Sequence, residues 1–579
     1  MDTSLYLRIV SAVKKERFVI LFRYIWEFYP KIIKMYLKRL LVFLIFCSAS
    51  TTVLAQLSKK HYLPPLTNND GFSDQYIYIS TPKNQSIAYK ITAVGQPDLP
   101  AYSGVVSNGN PIAQAVLNAS GSNDFNNDSQ LQLPIEMSSS IVNNKGFIIE
   151  AEDVIYVSVR VRSQRPTLYQ AGALVSKGAA ALGNDFRIGG MARAGSNPVQ
   201  NYATFASMMA TENDTNITIS DLTTGIDLVN YSGPIPFTFK LNEGETYMVA
   251  VSASTGGDPN DLIGGLISSD KPIVVNSGSA TGSFDQGNFG RDYGFDQIVG
   301  ASKIGSEYIF VKGSGNNGWE NALLIAHEDA TEISINGGAV VATINAGEYY
   351  VAEGAYYANG NNMYVKTSKA VFAFQGIGGL NEFGNPGEPN QGMFFVPPLN
   401  CENRGDVNNI ATIDKIGGDN FTGGTTIVAN AGATVSINNN PISSFNVQGP
   451  FTVDGNPNYE TYKVTGLTGN IKVQSDGELY CAYFNYNGAA ASGSFYSGFP
   501  SEPEVTFQTT VMNLGNCIPN VTLSAGNTDL FDSFEWFFDD GLGGGFVSTG
   551  VSSPNYTPQD PGNYQLRGFL ACTGNTLES

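Results

Sequence analysis

The sequence predicts an all-β protein: a large antiparallel body built from repeats, followed by a smaller β-sandwich. Three observations carry this. Four short blocks recur in the same order along the chain. From Phe72 onward, short β-branched and aromatic runs alternate with Gly, Asn and Asp turns. No stretch beyond residue 56 shows convincing helical periodicity.

The chain opens with an address. Residues 1–34 read as an N-terminal extension or a misassigned start, with Met35 as the alternative first residue. Residues 35–55 read as a secretory signal peptide: Met35-Tyr36-Leu37-Lys38-Arg39 is basic, Leu40 to Cys47 is apolar, and Val53-Leu54-Ala55 precedes Gln56 as a small-residue cleavage site. The apolar run is too short to favour a membrane-spanning helix. Lys59-Lys60-His61-Tyr62-Leu63-Pro64-Pro65-Leu66 is then an extended leading segment, because two prolines discourage helix.

The repeated body covers 56–500. Its blocks are clearest between Ile304 and Gly376: Ile304-Gly305-Ser306-Glu307-Tyr308, then Ala326 to Ile335, then Asn345-Ala346-Gly347-Glu348-Tyr349, then Ser368-Lys369-Ala370-Val371. The preceding copy has Leu182-Gly183-Asn184-Asp185-Phe186, Ala210 to Ile219, Asn242-Glu243-Gly244-Glu245-Thr246-Tyr247 and Asp270-Lys271-Pro272. A weaker later copy starts at Ile416, and a trace of an earlier one starts at Asp74. The openings at Asp74, Asp185, Glu307 and Asp419 imply four copies with a period of about 110 to 120 residues.

Each block has a structural job. Glu328-Asp329-Ala330 form a bend whose backbone Thr331 can bond, and Ile333 and Ile335 share one strand face. Gly347 supplies the positive φ of a second turn. Asp270-Lys271-Pro272 is read as a strand start, where a missing N–H costs little. Two architectures accommodate about seven strands per copy: a closed propeller-like ring, or tandem β-sandwiches that fold separately. The lack of Pro- or Ser-rich linkers between copies favours the ring.

Glu502-Pro503-Glu504 ends the pattern, and 501–579 is a separate module. Trp536 on a strand between Cys517 and Cys572 is an immunoglobulin-like sandwich signal, which predicts a Cys517–Cys572 disulfide. A second expected pair is Cys401 with Cys481, the alternative being two buried free thiols. The W-x-F-x-D-G-like run at Trp536 and the later Pro561-Gly562-Asn563-Tyr564 also resemble PKD-type modules. Because the chain stops at Ser579, soon after Cys572, this module is expected to be truncated.

Gly290-Arg291-Asp292-Tyr293-Gly294-Phe295-Asp296-Gln297-Ile298 leads into Ile304-Gly305-Ser306-Glu307-Tyr308. With the Ala-x-Glu and Asn-x-Gly-Glu-x-Tyr turns, Asp270-Lys271-Pro272 and Phe395-Val396-Pro397-Pro398-Leu399, it makes the body resemble the IgGFc-binding protein N-terminal domain family. Followed by the C-terminal module, the whole is similar to bacterial cell-surface adhesins exported by the type IX pathway. The resemblance implies an extracellular or cell-surface location and adhesive function, and does not by itself establish antibody binding.

Composition excludes several functions. A net charge of −19, or −25 without residues 1–55, repels phosphate backbones, so no nucleic-acid partner is expected. With only two histidines, His61 and His327, and no nucleophile motif, P-loop or dinucleotide fingerprint, no enzyme activity is expected. His327 reads as an exposed turn residue. No cofactor is expected, calcium being the one candidate: Asp285, Asp292 and Asp296 in a Gly-rich loop could ligate it, a solvated turn being the alternative.

The function expected is adhesion to an extracellular glycan or glycoprotein, through loops at Ser120 to Gln130, Gly313 to Asn321 and Ala355 to Asn362. Tyr356, Tyr357 and Asn359 are the candidate contacts, since Tyr offers a large rigid surface and Asn adaptable hydrogen bonds. The competing readings are an extracellular carbohydrate-active hydrolase with an Asp/Glu pair, and a passive stalk.

Overall fold

The computed structural model describes residues 57–67, 72–95, 102–110, 113–116, 130–163, 170–192, 202–284, 292–315, 317–357, 360–378, 391–400, 407–499, 504–509, 521–526, 531–570 and 575–579. All lie in the unit Val53–Ser579. Among them regular structure is antiparallel β, with 3-10 turns of three or four residues.

Four copies of one unit form the body. In the first three, a 17-residue strand pairs four neighbours, two along each half: Phe147–Ser163, Leu266–Gly282 and Asn362–Gly378. In the third copy the first part of the long strand pairs Gly305–Val311 and Thr331–Ile335, and the second part pairs Ala322–Ala326 and Gln391–Phe395. The fourth copy splits the long strand into Ile471–Ser475 and Leu479–Asn487, interrupted at Asp476-Gly477-Glu478.

The recurring blocks sit where this plan needs them. Thr331 Oγ1 donates to Glu328 O at 2.7 Å, and its sister Thr215 donates to Glu212 O at 2.8 Å. In the Asn-x-Gly-Glu turns the Glu carboxylate accepts the Asn N–H, Asn345 to Glu348 and Asn242 to Glu245, both at 2.7 Å. Gly347 and Gly244 take φ of 81° and 80°, which a side chain would strain. Asp270-Lys271-Pro272 differs from its expected role. It lies inside a long strand, between the half that pairs Thr215–Ser220 and the half that pairs Ala203–Ala210, and the pairing with Gly183–Arg187 shifts register there. Proline is tolerated because the ladder is broken at that point.

The repeats do not fold separately. One buried cluster joins Leu63, Ile149 and Leu174 of the first copy to Phe205, Met248 and Phe295 of the second. The next joins Phe186 and Ile267 to Leu323, Phe372 and Phe374. A third joins Tyr308, Phe310 and Met363 to Tyr480, Phe484 and Phe495. The fourth closes the circle, packing Tyr156, Ala173 and Val175 of the first copy against Ile427, Cys481 and Tyr496 of the last. Burying each large apolar side chain contributes about 1.5–3 kcal/mol, and each cluster draws such side chains from two copies. Separately folding tandem sandwiches are thereby excluded for the body.

The closing seam is also polar. Arg160 is fully buried, and its guanidinium donates to Ala411 O, Thr412 O and Lys415 O at 2.7–2.8 Å while lying against the rings of Tyr78 and Tyr483. Arg162 pairs with Asp419. Two residues of one strand thus fasten the first copy to the last.

The leading segment is a strand, Ser58–Leu63, paired with Phe147–Ser163. His61 is wholly buried: Nε2 donates to Ile155 O at 3.0 Å and Nδ1 lies 3.0 Å from Ser176 Oγ. Burial lowers its pKa to about 4, so it stays neutral.

In the C-terminal module, Glu504–Thr509, Val521–Gly526 and Asn555–Tyr556 form one sheet, and Ser533–Asp539 with Asn563–Leu570 anchors another. Trp536 is fully buried, stacks on Tyr556 and donates from Nε1 to Ser553 O at 3.0 Å. Cys517 and Cys572 lie outside the described residues.

Replacing Arg160 with Leu would orphan three carbonyls, each costing about 1–3 kcal/mol. Chemical denaturation of R160L should show a loss of at least about 3 kcal/mol, and R160K should recover little, because an ammonium lacks the planar fork.

Candidate functional site

The first region the sequence singled out lies at the ring's centre. Four inner strands, Ala171–Val175, Asp292–Ile298, Gln391–Phe395 and Ala490–Phe495, each pair with their own long or split strand and pack on one another without a shared ladder. Asp292 and Asp296 are therefore not loop residues: both are fully buried within the second inner strand. Asp292 Oδ1 accepts from Ala171 N at 2.7 Å and Tyr293 N at 2.9 Å, and Oδ2 accepts from Ala491 N at 3.1 Å. Asp296 accepts from Val175 N, Gln297 N, Phe395 N and Ser494 Oγ, and pairs with the buried Lys177 ammonium at 3.2 Å. Burial raises both carboxyls and lowers Lys177, and the N–H donors and the ion pair oppose it.

These oxygens are occupied by protein donors. The structure does not bring Asp292 and Asp296 together as ligands, and Asp285 lies outside the described residues. Among the described residues no group of three or more His, Cys, Asp or Glu is placed to hold a metal.

The second region consists of loops, and two of the three meet. Gly313 to Asn321 and the turn at Gly354–Tyr356 sit side by side on the seam between the third and fourth copies. Gly354 N donates to Asn321 Oδ1 at 3.2 Å, and a Cβ at Gly354 would lie 2.5 Å from Asn317 O, so only glycine permits the approach. Tyr356 hydrogen-bonds Tyr350 through their hydroxyls at 3.2 Å, and its carbonyl accepts from Asn336 Nδ2. Tyr356 and Tyr357 are half-buried, each packing against the seam core. Tyr357 turns its hydroxyl inward, where burial and then the Glu320 charge raise its pKa well above the usual range. Asn359 and 120–129 lie outside the described residues; Gln130 is buried and donates to Val94 O and Gly146 O.

Glu320 was not singled out, and it holds this place together. Fully buried, it accepts from Gly313 N at 2.8 Å, Gly315 N at 2.7 Å and Gly378 N at 2.9 Å. Burial raises its pKa to about 7 against those three donors and nearby Lys463. The signal was one acid in a loop rich in glycine, whose free N–H groups need an acceptor.

Cys481 is a free, fully buried thiol, which corrects the expected pairing with Cys401; Cys401 itself lies outside the described residues. Its place in a long strand among Ile427, Tyr483 and Tyr496 makes it a core residue, and burial pushes its pKa up. His327 is half-buried, edge-on to Phe372, rather than exposed.

Fold and seam define a repeat-built all-β protein whose neighbouring copies share their cores. Residues 171–484, from the first inner strand into the last long one, match the family model described as IgGFc binding protein. The match spans more than half of the chain, which therefore belongs to that family. No curated protein matches. Among solved structures, trypsin-activated alpha-2-macroglobulin from Escherichia coli is 8% identical over 90% of this chain and 48% of its own, with a TM-score of 0.12. The immunoglobulin domains 1–5 of Sidekick-1 are 10% identical over 91% of this chain and 98% of theirs, with a TM-score of 0.08. A Salmonella alpha-2-macroglobulin gives 8%, 91%, 46% and 0.12. The chain spans about half the length of the macroglobulins, and such scores define no shared fold.

Three outcomes follow. Asp296→Ala strands a buried ammonium and should cost about 3–5 kcal/mol, and adding Lys177→Met should cost less than the sum of the single changes. Peptide mapping after thiol alkylation should find Cys481 unmodified in the native protein and modified after unfolding. Glu320, raised from 4.5 to about 7, contributes stability that is full below pH 4.5 and lost as pH rises through 7. Relative to E320Q, the wild type should therefore lose up to about 3 kcal/mol across that window in denaturation at stepped pH.

Proposed function

We propose that the protein is a secreted or surface-held binding protein that captures an extracellular glycan or glycoprotein without catalysing a reaction. The observation that carries this is the meeting of the Gly354–Tyr356 turn with Asn317 and Asn321 on one seam, with the partly buried Tyr356 and Tyr357 beside them. A rigid scaffold that places two loops together pre-pays the ordering cost of binding, and Tyr contributes contact area with little side-chain entropy to lose. Membership of the family described as IgGFc binding protein supports an extracellular binding role and places immunoglobulin Fc among the ligands to test. Among the described residues no helix is long and apolar enough to cross a membrane. Export rests on reading 35–55 as a signal peptide, and type IX secretion on the resemblance of the whole chain to such adhesins.

The test is an array of glycans, glycoproteins and immunoglobulin Fc probed with the purified protein. A defined set of ligands should be retained. Their binding should fall about tenfold or more in Y356A/Y357A, measured at a temperature where circular dichroism shows the variant still folded. EDTA should leave binding unchanged, because the expected calcium ligands Asp292 and Asp296 are spent on N–H donors. Retained ligands with full binding by the double variant would remove these tyrosines from the site.

A further inference from the structure

The same seam brings two lysines together in a protein of net charge −19. Lys463, on the strand Tyr459–Leu467 of the fourth copy, reaches across to donate from Nζ to Gly313 O at 2.6 Å. Lys312, the residue before Gly313, donates to Asn317 Oδ1 at 2.7 Å. Both ammonium groups meet neutral oxygens, and neither has an ion-pair partner among the described residues.

The acid beside them is already committed. Both carboxylate oxygens of Glu320 accept backbone N–H groups, Oε1 from Gly315 and Gly378 and Oε2 from Gly313. The two ammonium groups also sense each other. Burial chiefly lowers the pKa of Lys463, and the Lys312 charge lowers it further while Glu320 partly offsets both. An anion placed between them would relieve that repulsion through charge-assisted hydrogen bonds. A second polar group on the same loop lacks a partner. Trp319, next to Glu320, is 8% exposed and its Nε1 makes no hydrogen bond. A buried indole donor left without an acceptor is costly, and a ligand oxygen would satisfy it.

We propose that the seam between the third and fourth copies binds an anionic group of a glycan, a carboxylate or a sulfate ester, between the ammonium groups of Lys312 and Lys463. This rests on the binding role proposed above and names its ligand class. The partly buried Tyr356 and Tyr357 stand on the same seam, where their exposed edges are available to the neutral part of the sugar. The positive spot also steers an anionic ligand through the repulsive field of the surrounding surface, which makes capture sensitive to salt.

The experiment uses the full protein on arrays of glycans in matched sialic-acid- or uronate-bearing, sulfated and neutral forms, repeated after sialidase and sulfatase treatment. Wild type should prefer an anionic form by about tenfold or more, and the enzyme that abolishes binding identifies carboxylate or sulfate as the group. The preference should shrink with rising salt and vanish in K312Q/K463Q. Because Lys463 also holds the Gly313 carbonyl, K312Q alone and W319F serve as milder variants, and each should weaken the anionic form selectively. Equal binding of neutral and anionic forms, unchanged in the variants, would overturn the anion site and leave the binding role standing. Retention of no glycoconjugate at all would overturn both.

Discussion

Two aspartates allow four sheets to meet at one centre. Strands that turn an edge toward each other without sharing a ladder leave N–H groups unpaired, and a buried unpaired N–H is expensive. Asp292 and Asp296, both from the second inner strand, accept N–H groups from Ala171 and Val175 of the first copy, Phe395 of the third and Ala491 of the fourth. A carboxylate suits this position because it only accepts and can hold several donors at once. The Lys177–Asp296 pair is fully buried, so removing either partner leaves the other's charge uncompensated.

Everything outward depends on that closure. Each hydrophobic cluster is shared by two neighbouring copies, so the ring has no copy that could leave without opening two cores. The leading strand is tied into the same network. Gln297, beside Asp296, donates to Tyr62 O, and Asn276 donates to Pro64 O. Where the first copy meets the last, Arg160 supplies by hydrogen bonding part of what apolar packing supplies elsewhere. Loops on such a scaffold are held in place rather than ordered on binding, as the Glu320 clamp on Gly313, Gly315 and Gly378 shows.

What the sequence made legible was local. The Asn-x-Gly-Glu turns and the Thr331 bend close within a few residues, so residue type and spacing are enough to read them. The four copies showed because the turns recur. Asp292 and Asp296 were misread because glycines flank them at Gly290 and Gly294 and suggest a loop, whereas their donors lie up to 199 residues away. Asp270-Lys271-Pro272 looked like a strand start because proline removes a donor; that the ladder is already broken there is visible only once the partners of both halves of the strand are seen. Cys481 belongs to the same class, since a thiol's partner or lack of one is a long-range fact. At the seam, the loops could be named from composition, but Lys463 could not, because it arrives from another copy.

The most direct test of ring closure is hydrogen exchange followed residue by residue through increasing denaturant. The closed ring predicts that the amides of Ala171, Val175, Phe395 and Ala491 are strongly protected and lose protection in one shared transition, although they belong to the first, third and fourth copies. Separate transitions for those copies, or early exchange at Ala171 and Ala491 while Phe395 stays protected, would contradict it.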